Sequence, residues 1–190
     1  MAVPGHWWCC FHKVRSASCP VTSQRRHVAT ESWTGRHWKY ILQAINNAIG
    51  DFNMIDGTTG LVIGRDNGVG TADKACPADQ KRTDCLADLA KFKRVYKIEM
   101  SSANVGGAIR KIGHIDLMVI ADPAKLARQP LSTGVLSVWF FTIENMDRLD
   151  ARHIVVGNDN NLPFFSSREP NRADDNGLIL LEVAEFLIAN

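Results

Sequence analysis

GLVIGRDNGVG, residues 60–70, runs three consecutive apolar side chains (Leu61, Val62, Ile63) into a polar turn. The Asn67-Gly68 dipeptide accepts positive φ and favours a hairpin-type turn, so the stretch reads as a strand ending in a corner. The same grammar repeats along the chain from Trp38 onward. WKYILQA leads into NNAIGD, and DFNMID meets Asp56-Gly57. FKRVYKIEM (92–100) places Val95, Tyr96, Ile98 and Met100 as its apolar positions. AIRKIGHIDLMVIA (108–121), VLSVWFFTIENM (135–146), HIVVGN (153–158) and LILLEV (178–183) follow. Eight short strand candidates with turn signals between them predict an all-β sandwich, barrel or propeller.

Two stretches interrupt the pattern. CLADLAKF (85–92) sets Leu86, Leu89 and Phe92 at helical spacing, and ADPAKLARQ (121–129) offers Asp122 as an N-cap ahead of Pro123. Both are read as short helical insertions between strands. VAEFLIAN at the end reads as a last strand followed by a turn, with periodicity not settling it.

The chain of 190 residues is 45% hydrophobic and 22% charged, enough for one globular core. A net charge of +2 gives no argument for nucleic acid or an anionic membrane as partner. Residues 1–38 hold five Lys/Arg against one Glu, together with four of the five Trp, four of the six His and three of the five Cys. They show no sustained periodicity and no apolar stretch of signal-peptide type, and residues 1–36 are read as an atypical, disordered leader. Cys9, Cys10, His12, Cys19 and His27 match no zinc module by spacing. No run reaches the ~18 apolar residues of a membrane span.

In ACPADQKRTDC, Cys76 and Cys85 flank a polar loop that closes easily. A disulfide there would stabilise by about 3 kcal/mol and would indicate an oxidising compartment. Two unpaired surface thiols are the alternative.

GxSxG, Walker A and HExxH are all absent, so Ser166 and Ser167 sit on no nucleophile elbow. The chemistry that remains is carboxylate and amide groups at strand ends: Asp66 and Asn67; Glu144, Asn145 and Asp147; Asp159, Asn160 and Asn161; Asp174, Asp175 and Asn176. Such loops suit a hard cation, which takes six to eight oxygens from irregular backbone. They equally suit Asx-turns at the corners of a β protein. His114 and His153 lie inside apolar runs and read as packed strand histidines. Arg168 and Arg172 are candidates for a bidentate grip on an anion, or are solvated loop charges.

FTIENMDRLDARHIVVGNDNNLPFFSSREPNRADDNGLILLEV (141–183) resembles the C-terminal part of the phytase-like family, described as esterase-like activity of phytase. AIGDFNMIDGTTGLVIGRDNGVGTADKACP, with the later FKRVYKIEM, resembles the section before it. The resemblance covers residues 37–190 and implies a secreted or periplasmic hydrolase of β-propeller type, here as about two blades. It implies activity on phosphate or carboxylic esters and marks the Asp66, Glu144, Asp159 and Asp175 stretches as signature loops of the family. From the oxygen-rich character of those loops, Ca²⁺ is expected on Asp66, Glu144, Asp159, Asn160 and Asp175, with Asp159, Glu144 and Arg168 as the catalytic candidates. Two departures stand out: the family places a Glu where this chain has Gly64, and its members are longer and begin with a signal peptide. A partial propeller exposes sheet edges and invites self-association. A non-catalytic Ca²⁺-stabilised binding module and an inactive truncated product are the competing readings.

Overall fold

The computed structural model describes residues 18–21, 35–78, 80, 82–127, 134–138, 140, 142–160, 166 and 169–190. Arg168, Asn161 and most of the segment read as a leader lie outside them. The regular structure of the described residues is mostly β-strand, in several antiparallel sheets. β1 (Ser18–Val21) pairs with β2 (Trp38–Ile41). β3 (Ala48–Met54), β4 (Thr59–Arg65), β5 (Lys93–Glu99) and β6 (Arg110–Asp116) form a four-stranded meander. β7 (Ile120–Ala121) and β8 (Val135–Leu136) make a short pair. β9 (Ile143–Arg148), β10 (His153–Asn158) and β11 (Gly177–Glu182) form a three-stranded sheet with β10 in the middle. No closed sheet is present among the described residues.

Strand alternation explains why Leu61, Val62 and Ile63 can be apolar in succession. Leu61 and Ile63, with Val95, point to one face of the meander and pack with Ile143, Met146, Ile154, Val156 and Leu181 of the three-stranded sheet. Val62, with Tyr96 and Ile98, points to the other face and packs with Trp38 and Tyr40 of β2. β4 is therefore buried on both sides, the case in which a strand loses its polar alternation. On the β2 side, the Trp38 indole donates to Asn104 Oδ1 at 2.7 Å. The Lys111 ammonium sits over the Tyr40 and Tyr96 rings at 4.3 and 4.7 Å and donates to the Ile41 carbonyl at 2.6 Å.

β5 carries a second consequence of the two-sided burial. Lys93, Val95 and Lys97 share the face turned to the larger core, and both lysines are buried. A buried ammonium needs acceptors. Lys97 Nζ finds them in the carbonyls of Leu187 (2.5 Å) and Ala189 (2.7 Å), at the end of helix α1 (Ala184–Ile188). That helix stands where the sequence suggested a strand and a turn.

The two larger sheets meet where β3 lies alongside β9. Gly50 and Asp51 together face Ile63 of β4, a bulge that turns them out of the sheet toward β9. A Cβ on Gly50 would lie 2.1 Å from the Ile143 carbonyl oxygen, so only glycine fits this close approach. Asp51 Oδ2 accepts the Met146 amide at 2.8 Å and the Asn53 side-chain amide at 2.9 Å, while Oδ1 accepts the Phe52 amide at 2.7 Å. Asn53 also donates to the Met146 carbonyl. Burial pushes the Asp51 carboxyl above its usual range, and those hydrogen bonds pull against it.

All eight strand candidates are strands, two of them broken in the middle: 108–121 into β6 and β7, and 135–146 into β8 and β9. Over their described residues the two helical insertions are not helices. Over 85–92, Leu86 bridges Ala75, its amide donating to the Lys74 carbonyl at 2.8 Å. The adjacent Cys76–Cys85 disulfide fastens that loop to itself. After β7, Asp122 does accept the amides of Leu126 (2.9 Å) and Ala127 (3.0 Å), but Lys125 at φ 53° turns the chain out of a helical path. No helix of the described residues is long and apolar enough to cross a membrane.

Two outcomes follow. Replacing Cys76 and Cys85 by serine removes a cross-link over nine residues and should lower unfolding free energy by about 3 kcal/mol, read by urea denaturation. In the β9–β10 turn, Asp150 accepts the amides of Arg152 and His153 at 2.7 and 2.8 Å and faces His153 Nδ1 at 3.0 Å. These contacts, the Arg152 amide first, hold its carboxyl down at about 2. A folded value below the unfolded ~3.9 means stability that is full above that value and lost as pH falls through the folded one. NMR titration of the Asp150 carboxyl should therefore give a midpoint near about 2; an ordinary midpoint contradicts the contacts.

Candidate functional site

The registers bring several polar strand ends to one end of the sheets. Arg65 at the end of β4 pairs with Ala48 at the start of β3 and Lys93 at the start of β5. Gly50 abuts Ile143 and Asn53 reaches Met146, so β9 runs in the same direction as β3 and starts at the same end. Asn158 at the end of β10 pairs with Ile143 and with Gly177 at the start of β11. The loops rich in Asp and Asn that follow these strands consequently share this end.

Two clusters form there. In the first, Arg65 Nη2 donates to Glu144 Oε1 at 2.9 Å and Nη1 to Asn67 Oδ1 at 3.1 Å. The Arg65 side chain is 10% exposed and that of Glu144 37%, so a largely desolvated guanidinium holds a carboxylate that still meets solvent. Lys93, fully buried, donates to Asp66 Oδ1 at 2.6 Å, the Asp66 carbonyl at 2.8 Å and the Gly68 carbonyl at 2.9 Å. Asp66 Oδ2 accepts the amides of Lys91 (2.7 Å) and Phe92 (2.9 Å). Burial pushes the Lys93 ammonium below the usual lysine range, and the Asp66 carboxylate opposes the shift.

The second cluster is built from side-chain amides. Asn158, almost fully buried, donates to the Asp175 carbonyl at 3.2 Å and accepts the Gly177 amide at 2.8 Å. Asn160 donates through its side chain to the Asp174 carbonyl at 3.1 Å, and its backbone amide donates to Asn176 Oδ1 at 2.8 Å. The Asp159 amide donates to the Thr142 carbonyl at 2.9 Å, and the Thr142 hydroxyl donates back to the Asp159 carbonyl. Residues 158–160 and ADDNG are thus laced together as a corner, two residues from Glu144 along β9. Asp175 is exposed and Asp159 half-buried.

The five residues expected to hold Ca²⁺ divide between these clusters. Asp66 faces the Lys93 ammonium and Glu144 faces the Arg65 guanidinium. Two carboxylates already neutralised by protein cations do not fit with Asp159, Asn160 and Asp175 as one ligand set for a divalent ion. Among the described residues no group of three or more His, Cys, Asp or Glu side chains is placed to hold a metal. Arg168 lies outside the described residues. Residue 64 faces Tyr96 and Phe92, on the opposite side of β4 from Arg65, so a glutamate there would point away from the Arg65–Glu144 pair.

The sequence reading missed Arg65 and Lys93. The available signal was position: a lysine two residues before Val95 falls on the same strand face as that core side chain. The Asp66–Lys93 pair gives the sharpest outcome. Asp66→Ala leaves a buried ammonium without its carboxylate and should lower unfolding free energy by about 3–5 kcal/mol, measured by chemical denaturation.

No curated protein and no solved structure matches the chain. The family model described as Phytase-like: Esterase-like activity of phytase matches residues 14–162, beginning within the segment read as a leader and ending beyond the Asp159 loop. That match takes in most of the chain, with β1 to β10 and the Arg65–Glu144 pair, and it establishes that this chain belongs to the phytase-like family.

Proposed function

We propose that the chain is an esterase-like hydrolase acting on phosphate or carboxylic esters, with Glu144 as the carboxylate that takes a proton from the attacking water. The observation that carries this is the half-exposed Glu144 held by a buried Arg65 at the shared strand end, in a member of a family described by esterase-like activity. A base of this kind must be oriented before its proton affinity matters. Arg65 supplies that orientation by bonding Glu144 and Asn67 through separate nitrogens. Water that gives a proton to Glu144 would attack the ester carbon or phosphorus, the bond to the alcohol oxygen would break, and the protonated Glu144 would return that proton to the departing alcohol. The calcium reading survives as a separate proposal for the corner of Asp159, Asn160 and Asp175.

We further propose that the two larger sheets are consecutive blades of a β-propeller. In support, a four-stranded and a three-stranded antiparallel sheet pack face to face, with their first strands β3 and β9 side by side in one direction. The Cys76–Cys85 disulfide, together with the family, supports an oxidising, extracytoplasmic setting.

Hydrolysis of p-nitrophenyl acetate and p-nitrophenyl phosphate by the purified chain, with and without EDTA, tests the proposal. Turnover is expected on at least one of them, with Glu144→Gln lowering kcat about 100-fold or more and leaving the melting transition in place. A cooperatively folded chain that turns over neither substrate, or a Glu144→Gln variant as active as the parent, contradicts it. Stabilisation by Ca²⁺ without turnover would favour the binding-module reading.

A further inference from the structure

We propose that Lys93 is a positioning residue for Glu144, acting through the loop of Asp66, Asn67 and Gly68; the inference rests on the reading of Glu144 as the working carboxylate. Lys93 touches no solvent and makes three hydrogen bonds, one for each proton of its ammonium. Two of the acceptors are main-chain carbonyls on either side of Asn67, at Asp66 and Gly68. The loop is wrapped around the charge.

Its other side is closed as well. Asp66 Oδ2 receives the amides of Lys91 and Phe92. At Gly68 a Cβ would lie 2.2 Å from the Leu89 carbonyl oxygen, so the backbone there has no room to move outward. Shifting the loop would unpair a buried ammonium, a cost that few local motions can meet.

Asn67 is carried on this fixed loop, and its Oδ1 accepts from Arg65 Nη1 at 3.1 Å. The other guanidinium nitrogen, Nη2, meets Glu144 at 2.9 Å. An ion pair with one half-exposed partner is ordinarily loose. Here the arginine end is tied at a second point to a loop anchored by Lys93, and the position of the Glu144 carboxylate inherits that restraint. The three hydrogen bonds of Lys93 go to Asp66 and Gly68, so it acts on Glu144 through the loop.

The test compares the parent with Lys93→Met, Asn67→Ala and Glu144→Gln. It reads kcat and KM on p-nitrophenyl acetate and p-nitrophenyl phosphate, and the rotation of the Arg65 guanidinium by side-chain NMR. Lys93→Met and Asn67→Ala should each lower kcat about 10-fold or more with KM little changed, as displacement of a reacting group does. Both should also quicken Arg65 rotation. Parental kcat and slow Arg65 rotation in both variants, with Glu144→Gln inactive, overturn the positioning role and leave the reading of Glu144 standing. If Glu144→Gln keeps parental turnover, that reading fails, and Arg65 rotation alone decides whether Lys93 fixes the pair. If Lys93→Met does not fold, Asn67→Ala, an exposed position, carries the same comparison.

Discussion

The structure depends on the seam between β3 and β9. Each is an edge strand of its own sheet, and an open edge is a liability unless something covers it. Here each edge covers the other. The bulge at Gly50 and Asp51 removes a side chain at one position and projects a carboxylate at the next. The missing side chain lets β3 approach the Ile143 carbonyl, and the carboxylate takes the Met146 amide that β9 would otherwise leave unpaired. Burying Asp51 is costly, which is why three donors surround it. The large core then fills the space between the joined sheets, from Leu61 and Ile63 on one side to Ile154 and Val156 on the other.

The candidate site is a consequence of that seam. β4 and β9 belong to different sheets, and their ends meet only because β3 and β9 run alongside in the same direction. Arg65 and Glu144 are 79 residues apart in the chain, yet the seam sets them within a hydrogen bond. The buried lysines of β5 work at the two ends of the same face. Lys93 secures the loop after β4, and Lys97 secures the turn of α1 that packs over β6. Both use charge in the core to tie irregular segments to a regular sheet.

The strands were legible because runs such as HIVVGN and FKRVYKIEM carry their periodicity locally. The breaks within 108–121 and 135–146 were not, since nothing in an apolar run marks where it leaves one sheet for another. CLADLAKF has helical spacing, but its Leu86 is drawn into a bridge with Ala75 beside the disulfide, and tertiary pairing prevailed over a weak local preference. In the site, Asp66 and Glu144 stood out as acidic groups at strand ends. Their partners did not, because an ammonium or guanidinium aimed into a core looks in sequence like any solvated charge. The Asp and Asn loops offered two readings, and the Asn158 and Asn160 side chains are spent on main-chain groups at a corner.

Hydrogen exchange at the Met146 amide tests the seam most directly. If the Asp51 carboxylate joins the two sheets, this amide should exchange as slowly as those of Val62 and Ile63 in the centre of β4, and Asp51→Ala should speed it selectively. Exchange at the rate of an open edge strand in the parent chain would contradict the joined arrangement, and with it the meeting of Arg65 and Glu144.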